Sequence, residues 1–227
     1  MIKTLPIKVL YSLAITAAAT FGQTPSTTPT PATKANPRPD TKIETVNEPF
    51  DTADVKTMAS KCVKFETELG DIETEMFPES APESVRNFLN LTAIGAFDTT
   101  TFSRVVPGFV IQGGNLYSRE GKMTYSLGMR ARKTIPDEPN KILHERGILS
   151  MARTAEPNTA TTNFFILVGP GAHLDGTFAA FGRVTKGMEV ADAINKAPVT
   201  EEKPDKPVRI KKAIVAVCGG SQVSPVK

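Results

Sequence analysis

Histidine and cysteine are scarce in this chain of 227 residues, with two of each, and tryptophan is absent. Neither Cys62 nor Cys218 has a histidine nearby or a second cysteine in a CxxC pair. Metal ligands and catalytic thiols usually occur in such local groups, so the sequence argues against both. The glycines at 113–114 and 169–171 lack the spacing of a phosphate-binding loop and are interpreted as turn glycines. No metal and no cofactor is expected.

The chain also lacks an excess of either charge. The formal net charge is +3, and Lys3 and Lys8 are the charged residues of the first 22 positions. The remainder is nearly neutral, without the electrostatic footprint of a nucleic-acid-binding protein. Asp137 and Glu138 are interpreted as a solvated turn rather than a calcium site. His144, among charged neighbours, is interpreted as part of a solvated loop rather than as an acid–base group.

Long hydrophobic runs are missing as well, but residues 1–22 have the pattern of a secretory signal peptide. Lys3 and Lys8 form a positive start, Val9 to Ala19 is a short apolar stretch, and small residues offer cleavage sites. The apolar stretch is short for a bilayer span. An uncleaved anchor stays open as the alternative. The sequence therefore predicts an exported protein, periplasmic or secreted, with no membrane contact beyond this segment.

Residues 23–58 are rich in proline and threonine and include six prolines. Such a stretch cannot bury a core and favours extended conformations, so we predict a disordered linker. One domain follows over residues 59–221, and residues 222–227 are predicted to be a flexible tail.

Within the domain, short apolar patterns of period two predict strands. Residues 63–67 and 72–76 alternate in this way around a turn at 69–71, which indicates a hairpin. Pro82 begins a predicted helix, with a capping box from Ser80 to Glu83. A second helix is predicted over Gly187 to Asn195, and residues 113–145 mostly form a loop. Many short strands with two helices favour a closed barrel.

Four phrases identify a family. They read SRVVPGFVIQGG from Ser103, GILSMAR from Gly147, NFFILV from Asn163 and LDGTFAAFGRV from Leu174. In this order they resemble the cyclophilins, the peptidyl-prolyl cis–trans isomerases, over roughly Ala59 to Gly220. The resemblance is to bacterial exported, periplasmic members. It implies a mostly β fold, a closed eight-stranded antiparallel β-barrel capped by two α-helices.

The resemblance also implies which residues act. The catalytic group would be Arg104, Phe109 and Gln112, with the arginine donating to the prolyl nitrogen. This chemistry needs no nucleophile, because it breaks amide resonance rather than a bond to carbon. The implied substrate-binding residues are Val110, Met151, Ala152, Arg153, Asn163, Phe165, His173, Leu174 and Phe178. His173 stands where the family often has tryptophan, which argues against tight cyclosporin binding.

The resemblance further implies that the first and last strands are neighbours, which would allow a disulfide between Cys62 and Cys218. Two buried free thiols are the alternative. The expected partners are proline-containing peptides and unfolded or nascent exported proteins, bound by a monomer. The rival function is a catalytically weak proline-motif binding or chaperone module. A barrel that carries a small ligand is disfavoured, since large side chains should fill its interior. The basic loop Arg119–Lys133 is interpreted as solvated, and recruitment of a partner by this loop stays open as the alternative.

Overall fold

The computed structural model describes residues 47–219. The predicted signal peptide, the linker up to residue 46 and the tail at 222–227 lie outside the described residues. These residues contain ten strands: β1 Lys61–Thr67, β2 Gly70–Met76, β3 Arg104–Val106, β4 Val110–Gly113, β5 Ile148–Met151, β6 Phe164–Leu167, β7 Ala180–Lys186, β8 Val199–Thr200, β9 Lys203–Pro204 and β10 Ile210–Val217. The α-helices are α1 Val55–Ala59, α2 Pro82–Ala93, α3 Tyr125–Arg130 and α4 Met188–Asn195.

Eight strands form one antiparallel sheet in the order β10-β1-β2-β7-β5-β6-β4-β3. Backbone bonds beside the terminal strands join its two edges. The Phe102 amide donates to the Val208 carbonyl at 3.0 Å, the Ile210 amide donates to the Thr100 carbonyl at 2.8 Å, and Thr101 bridges Arg209. The sheet therefore curls and closes, and the predicted eight-stranded antiparallel barrel is confirmed.

The interior is filled by side chains that alternate along each strand. In β1, Val63 and Phe65 are fully buried while the intervening Lys64 is not. Stacked and edge-to-face aromatic rings dominate the centre, and Phe88 of α2 packs against Phe164 of β6 with ring centroids 5.1 Å apart. Helix α2 packs on β7 and β10, and α4 packs on β2 and β4. Both predicted helices are present and cover the barrel.

Strand β6 is buried on both faces and links two apolar clusters. Phe164 and Ile166 point into the main core, whereas Phe165 and Leu167 belong to a second, smaller apolar cluster on the other face. Residues alternate between the two faces of a strand, so one strand can serve both clusters. The second cluster also contains Val110 of β4 and Leu174.

The ordered domain begins earlier than predicted, so the end of the predicted linker at residue 58 is wrong. Met58 in α1 is fully buried, and Arg86 of α2 donates to the carbonyls of Phe50 and Ala53, both at 2.7 Å. The Phe50 amide donates to Asn90 Oδ1 at 2.7 Å. Tertiary contacts with α2 thus order a stretch whose composition alone suggests disorder.

Two local interpretations are also wrong. The Ser80–Glu83 capping box does not form, because Ala81 occupies the cap position of α2. Instead, the carboxylate of Glu138 accepts from the amides of Glu83 at 2.9 Å and Ser84 at 2.7 Å. Glu138 is therefore a helix cap supplied from a distant loop rather than part of a solvated turn. That long loop also contains α3, which begins where the Thr124 hydroxyl accepts from the amide of residue 127.

Candidate active site

The register of three neighbouring strands brings the central site residues together. Arg104 of β3 lies opposite Gln112 of β4, and Gln112 lies opposite Phe165 of β6. Cross-strand partners on one face are close enough for their side chains to interact. A cation, a carboxamide and an aromatic ring therefore lie in one row across the outer face of the barrel.

These residues border a cavity of about 210 Å³. Nine of the twelve predicted site residues line it: Arg104, Phe109, Val110, Gln112, Ala152, Arg153, Phe165, Leu174 and Phe178. Such concave surfaces with an apolar lining and few polar groups are typical of ligand sites.

One side of the cavity is apolar. Val110, Phe165 and Leu174 are buried, and Phe109 and Phe178 are half-buried beside them. The rings of Phe165 and Phe178 meet edge to face, with centroids 6.1 Å apart. A small saturated ring such as pyrrolidine can remove its apolar surface from water here, which favours binding by the hydrophobic effect.

The other side carries the guanidinium of Arg104. Nη1 donates to Gln112 Oε1 at 3.3 Å, and Nε donates to Glu202 Oε2 at 2.7 Å. The arginine side chain is 42% exposed, so a ligand can reach it. Sequence reasoning missed Glu202, which is distant in the chain. A permanent cation beside an apolar pocket can stabilise negative charge or a lone pair that develops there.

Arg153 forms one wall of the cavity, and contacts inside the domain occupy its guanidinium. Its Cζ lies 4.6 Å from the ring centroid of Phe178, a cation–π arrangement. Nη1 donates to the carbonyls of Thr154 and Ala155, and Nη2 donates to that of Thr177. Nε lies 3.0 Å from Asp137 Oδ2, so this aspartate belongs to an ion pair rather than to a solvated turn. Arg153 thus fixes the wall that Phe178 forms.

Three predicted site residues do not line the cavity. Met151 is 3% exposed, and its side chain packs in the main core rather than at the cavity. Asn163 is half-buried beside the cavity, where its carbonyl accepts from the amide of Ala152 at 3.0 Å. His173 is exposed, with its ring 5.1 Å from that of Phe109, and stands outside the cavity.

His144 is buried and hydrogen-bonded next to the segment that carries Leu174, so its interpretation as part of a solvated loop is wrong. His144 is 1% exposed, with Nδ1 3.1 Å from Asp175 Oδ1 and Nε2 3.1 Å from Ser150 Oγ. Burial lowers the pKa of His144, which favours the neutral ring. The hydrogen bond from the His144 amide lowers the pKa of Asp175. Asp175 directly follows the 3₁₀ helix Ala172–Leu174, so the network helps to hold Leu174.

The cysteines are bridged. Strands β1 and β10 pair along their length, and the Cys218 amide donates to the Ser60 carbonyl at 3.0 Å. The Cα atoms of Cys62 and Cys218 are 5.1 Å apart, and the sulfurs form a disulfide. Of the two alternatives, the structure shows the disulfide rather than free thiols.

Comparison with known proteins identifies the family. The family model for cyclophilin type peptidyl-prolyl cis-trans isomerases matches residues 62–215. The chain is 37% identical over 161 residues to peptidyl-prolyl cis-trans isomerase A of Dickeya dadantii, covering 65% of this chain and 80% of the relative. It is 38% identical over 146 residues to an Arabidopsis thaliana isomerase, covering 64% of this chain and 65% of that relative's length.

A solved structure agrees. The cyclophilin type isomerase of Cryptosporidium parvum, crystallised in the presence of the dipeptide Ala-Pro, has a TM-score of 0.59 and 31% identity, covering 68% of this chain and 98% of that one. This chain belongs to the cyclophilin-type peptidyl-prolyl cis–trans isomerase family, as predicted from its motifs. Among residues 47–219, no helix is both long and apolar enough to cross a membrane.

Proposed function

We propose that this protein accelerates rotation about Xaa-Pro bonds, with the proline ring in the apolar cavity and Arg104 assisting the twisted amide. The single observation that carries the proposal is the position of the Arg104 guanidinium. It lies at the edge of a cavity with a buried aromatic floor, and Gln112 orients it. A proline ligand agrees with the activity of the family and with the related Cryptosporidium parvum structure, which was determined in the presence of the dipeptide Ala-Pro.

The geometry suits the chemistry. Planarity of the peptide bond presents a barrier of about 18–20 kcal/mol to rotation. When the bond twists, resonance is lost and the prolyl nitrogen gains a lone pair. A fixed guanidinium that donates to this nitrogen stabilises the twisted state more than either planar state, which is the requirement for catalysis. The cavity holds the ring end of the bond while the carbonyl side rotates.

Exchange NMR on an Xaa-Pro peptide tests the proposal. In unfolded peptides the cis form is populated at about 10–30%, so both forms are visible. Catalytic amounts of the wild-type domain should give cis–trans exchange peaks, and Arg104→Ala should slow exchange about 100-fold or more. Arg183→Ala is the matched control, since this exposed arginine of β7 pairs with Glu75 and does not line the cavity.

The outcomes separate the two candidate functions. A folded wild-type domain that shifts the peptide signals without accelerating exchange would refute catalysis and support the proline-binding module. Equal loss of activity in Arg104→Ala and Arg183→Ala would exclude a specific role for Arg104.

We further propose that the protein is exported as a monomer to the periplasm or the cell exterior and acts on unfolded or nascent exported proteins. The signal-like pattern of residues 1–22 supports export. The disulfide supports it too, because such bonds persist in oxidising compartments. Expression of the full chain in a bacterium, cell fractionation and mass spectrometry of the recovered protein provide the test. A full-length, reduced protein in the cytoplasm would contradict export, and size-exclusion chromatography with light scattering tests the monomer.

A further inference from the structure

The hairpin formed by β8 and β9 lies against β3, the last strand in the sheet order, next to the site. The amide of Val105 in β3 donates to the carbonyl of Glu202 at 2.8 Å. At the tip of the hairpin, Glu201 and Glu202 have φ angles of +51° and +63°. Non-glycine residues seldom adopt this region, and such backbone persists where the surroundings hold it. The hairpin presents the side chain of Glu202 to the neighbouring residue of β3, Arg104.

The guanidinium of Arg104 is held by hydrogen bonds to two different elements. Gln112 of β4 accepts from Nη1 at 3.3 Å, and Glu202 accepts from Nε at 2.7 Å, the shorter and charge-assisted bond. A long side chain that is 42% exposed would otherwise sample several rotamers. Within residues 47–219 the structure shows no hydrogen bond from Nη2, so this donor is available to a substrate. Two acceptors on different elements define the plane in which it points.

We propose that Glu202 is a positioning residue for Arg104 and that the hairpin tip is part of the isomerisation site. This inference rests on the proposed function. Glu202 acts through the arginine and does not touch the proline. Loss of the Glu202 carboxylate should therefore lower kcat, because kcat depends on the orientation of the guanidinium. It should leave KM unchanged, because KM depends on the apolar cavity.

Two adjacent glutamates supply a matched pair of variants. Glu201→Ala and Glu202→Ala each remove one negative charge at a left-handed position of the same hairpin tip. Glu201 has no side-chain hydrogen bond or ion pair in the described part of the chain. Glu202→Gln keeps an oxygen that can accept from Nε without the charge. The readouts are kcat and KM from exchange NMR, thermal melts to confirm folding, and the Nε–Hε signal of Arg104.

We expect Glu202→Ala to lower kcat about fivefold to tenfold, with KM unchanged within about twofold. Glu202→Gln should keep most of the wild-type kcat, because its amide oxygen can still accept from Nε. The Arg104 Nε–Hε signal should move in Glu202→Ala and stay in Glu201→Ala, which should keep wild-type kinetics. Equal losses in both alanine variants, an effect confined to KM, or unchanged kcat in Glu202→Ala beside an active wild type would overturn this inference alone. An inactive wild type would overturn the proposed function itself.

Discussion

Removal of the Cys62–Cys218 bridge should destabilise the domain strongly. The bond joins residues 156 positions apart, so it closes nearly the whole domain into one loop. The chain-entropy relation for a loop of this length gives about 5 kcal/mol of stabilisation, through restriction of the unfolded chain. Because β1 and β10 already pair beside the bond, the native fold should survive without it.

The assay is urea unfolding of the wild type and of the Cys62→Ser/Cys218→Ser double variant, followed by circular dichroism. With a slope of about 2 kcal/mol per M, the midpoint should fall by roughly 2.5 M. The melting temperature should fall by about 10–20 °C. Wild type treated with reductant is the control, since it keeps both sulfur atoms and lacks only the bond. If all three samples unfold at the same midpoint, the reasoning is refuted.

Three further predictions concern the supports of the site. Burial lowers the pKa of His144 from 6.5, so the unfolded chain binds the proton first as the pH falls. The contribution of His144 to the free energy of unfolding should therefore be complete above about pH 6.5 and decline below it. The urea midpoint should be lower at pH 5.5 than at pH 7.5 in the wild type, with a smaller difference in His144→Gln. Glu138→Ala removes the acceptor at the start of α2 and should cost about 1–2 kcal/mol in urea unfolding, without a change in KM; no loss would contradict the capping role. Arg153→Ala frees the wall formed by Phe178 and should raise KM more than it lowers kcat in exchange NMR, with unchanged KM as the contrary result.

The strand pattern and the motifs made most of the fold predictable. Alternation in 63–67 and 72–76 indicates half-buried strands directly, because one face is apolar. The phrases around Arg104 and Phe165 identify the family. The resemblance to that family predicts the barrel and the nine residues that line the cavity. Strand β5 is different, since all its residues are buried and alternation vanishes. The pattern therefore does not show which way the side chain of Met151 points, and the structure places it in the main core.

The polar residues that were misassigned or missed have one physical feature in common: their contacts do not follow from their local sequence. His144 is followed by exposed Glu145 and Arg146, and charged neighbours indicate a surface even when one side chain turns inward. Glu138 and Glu202 lie in polar loops, and their partners are 54 or more residues away in sequence. Local composition describes solvation of a segment, whereas these contacts depend on tertiary closure of the barrel.

The rate of cis–trans interconversion in the bound state tests the central claim most directly. Line-shape and exchange NMR at saturating Xaa-Pro peptide separate this rate from the dissociation constant, in the wild type and in Arg104→Ala. We expect a bound-state rate about 100-fold lower in the variant, with the dissociation constant unchanged within about twofold, since the cavity is intact. An unchanged bound-state rate with weakened binding would show that Arg104 holds the peptide rather than assisting the twisted amide.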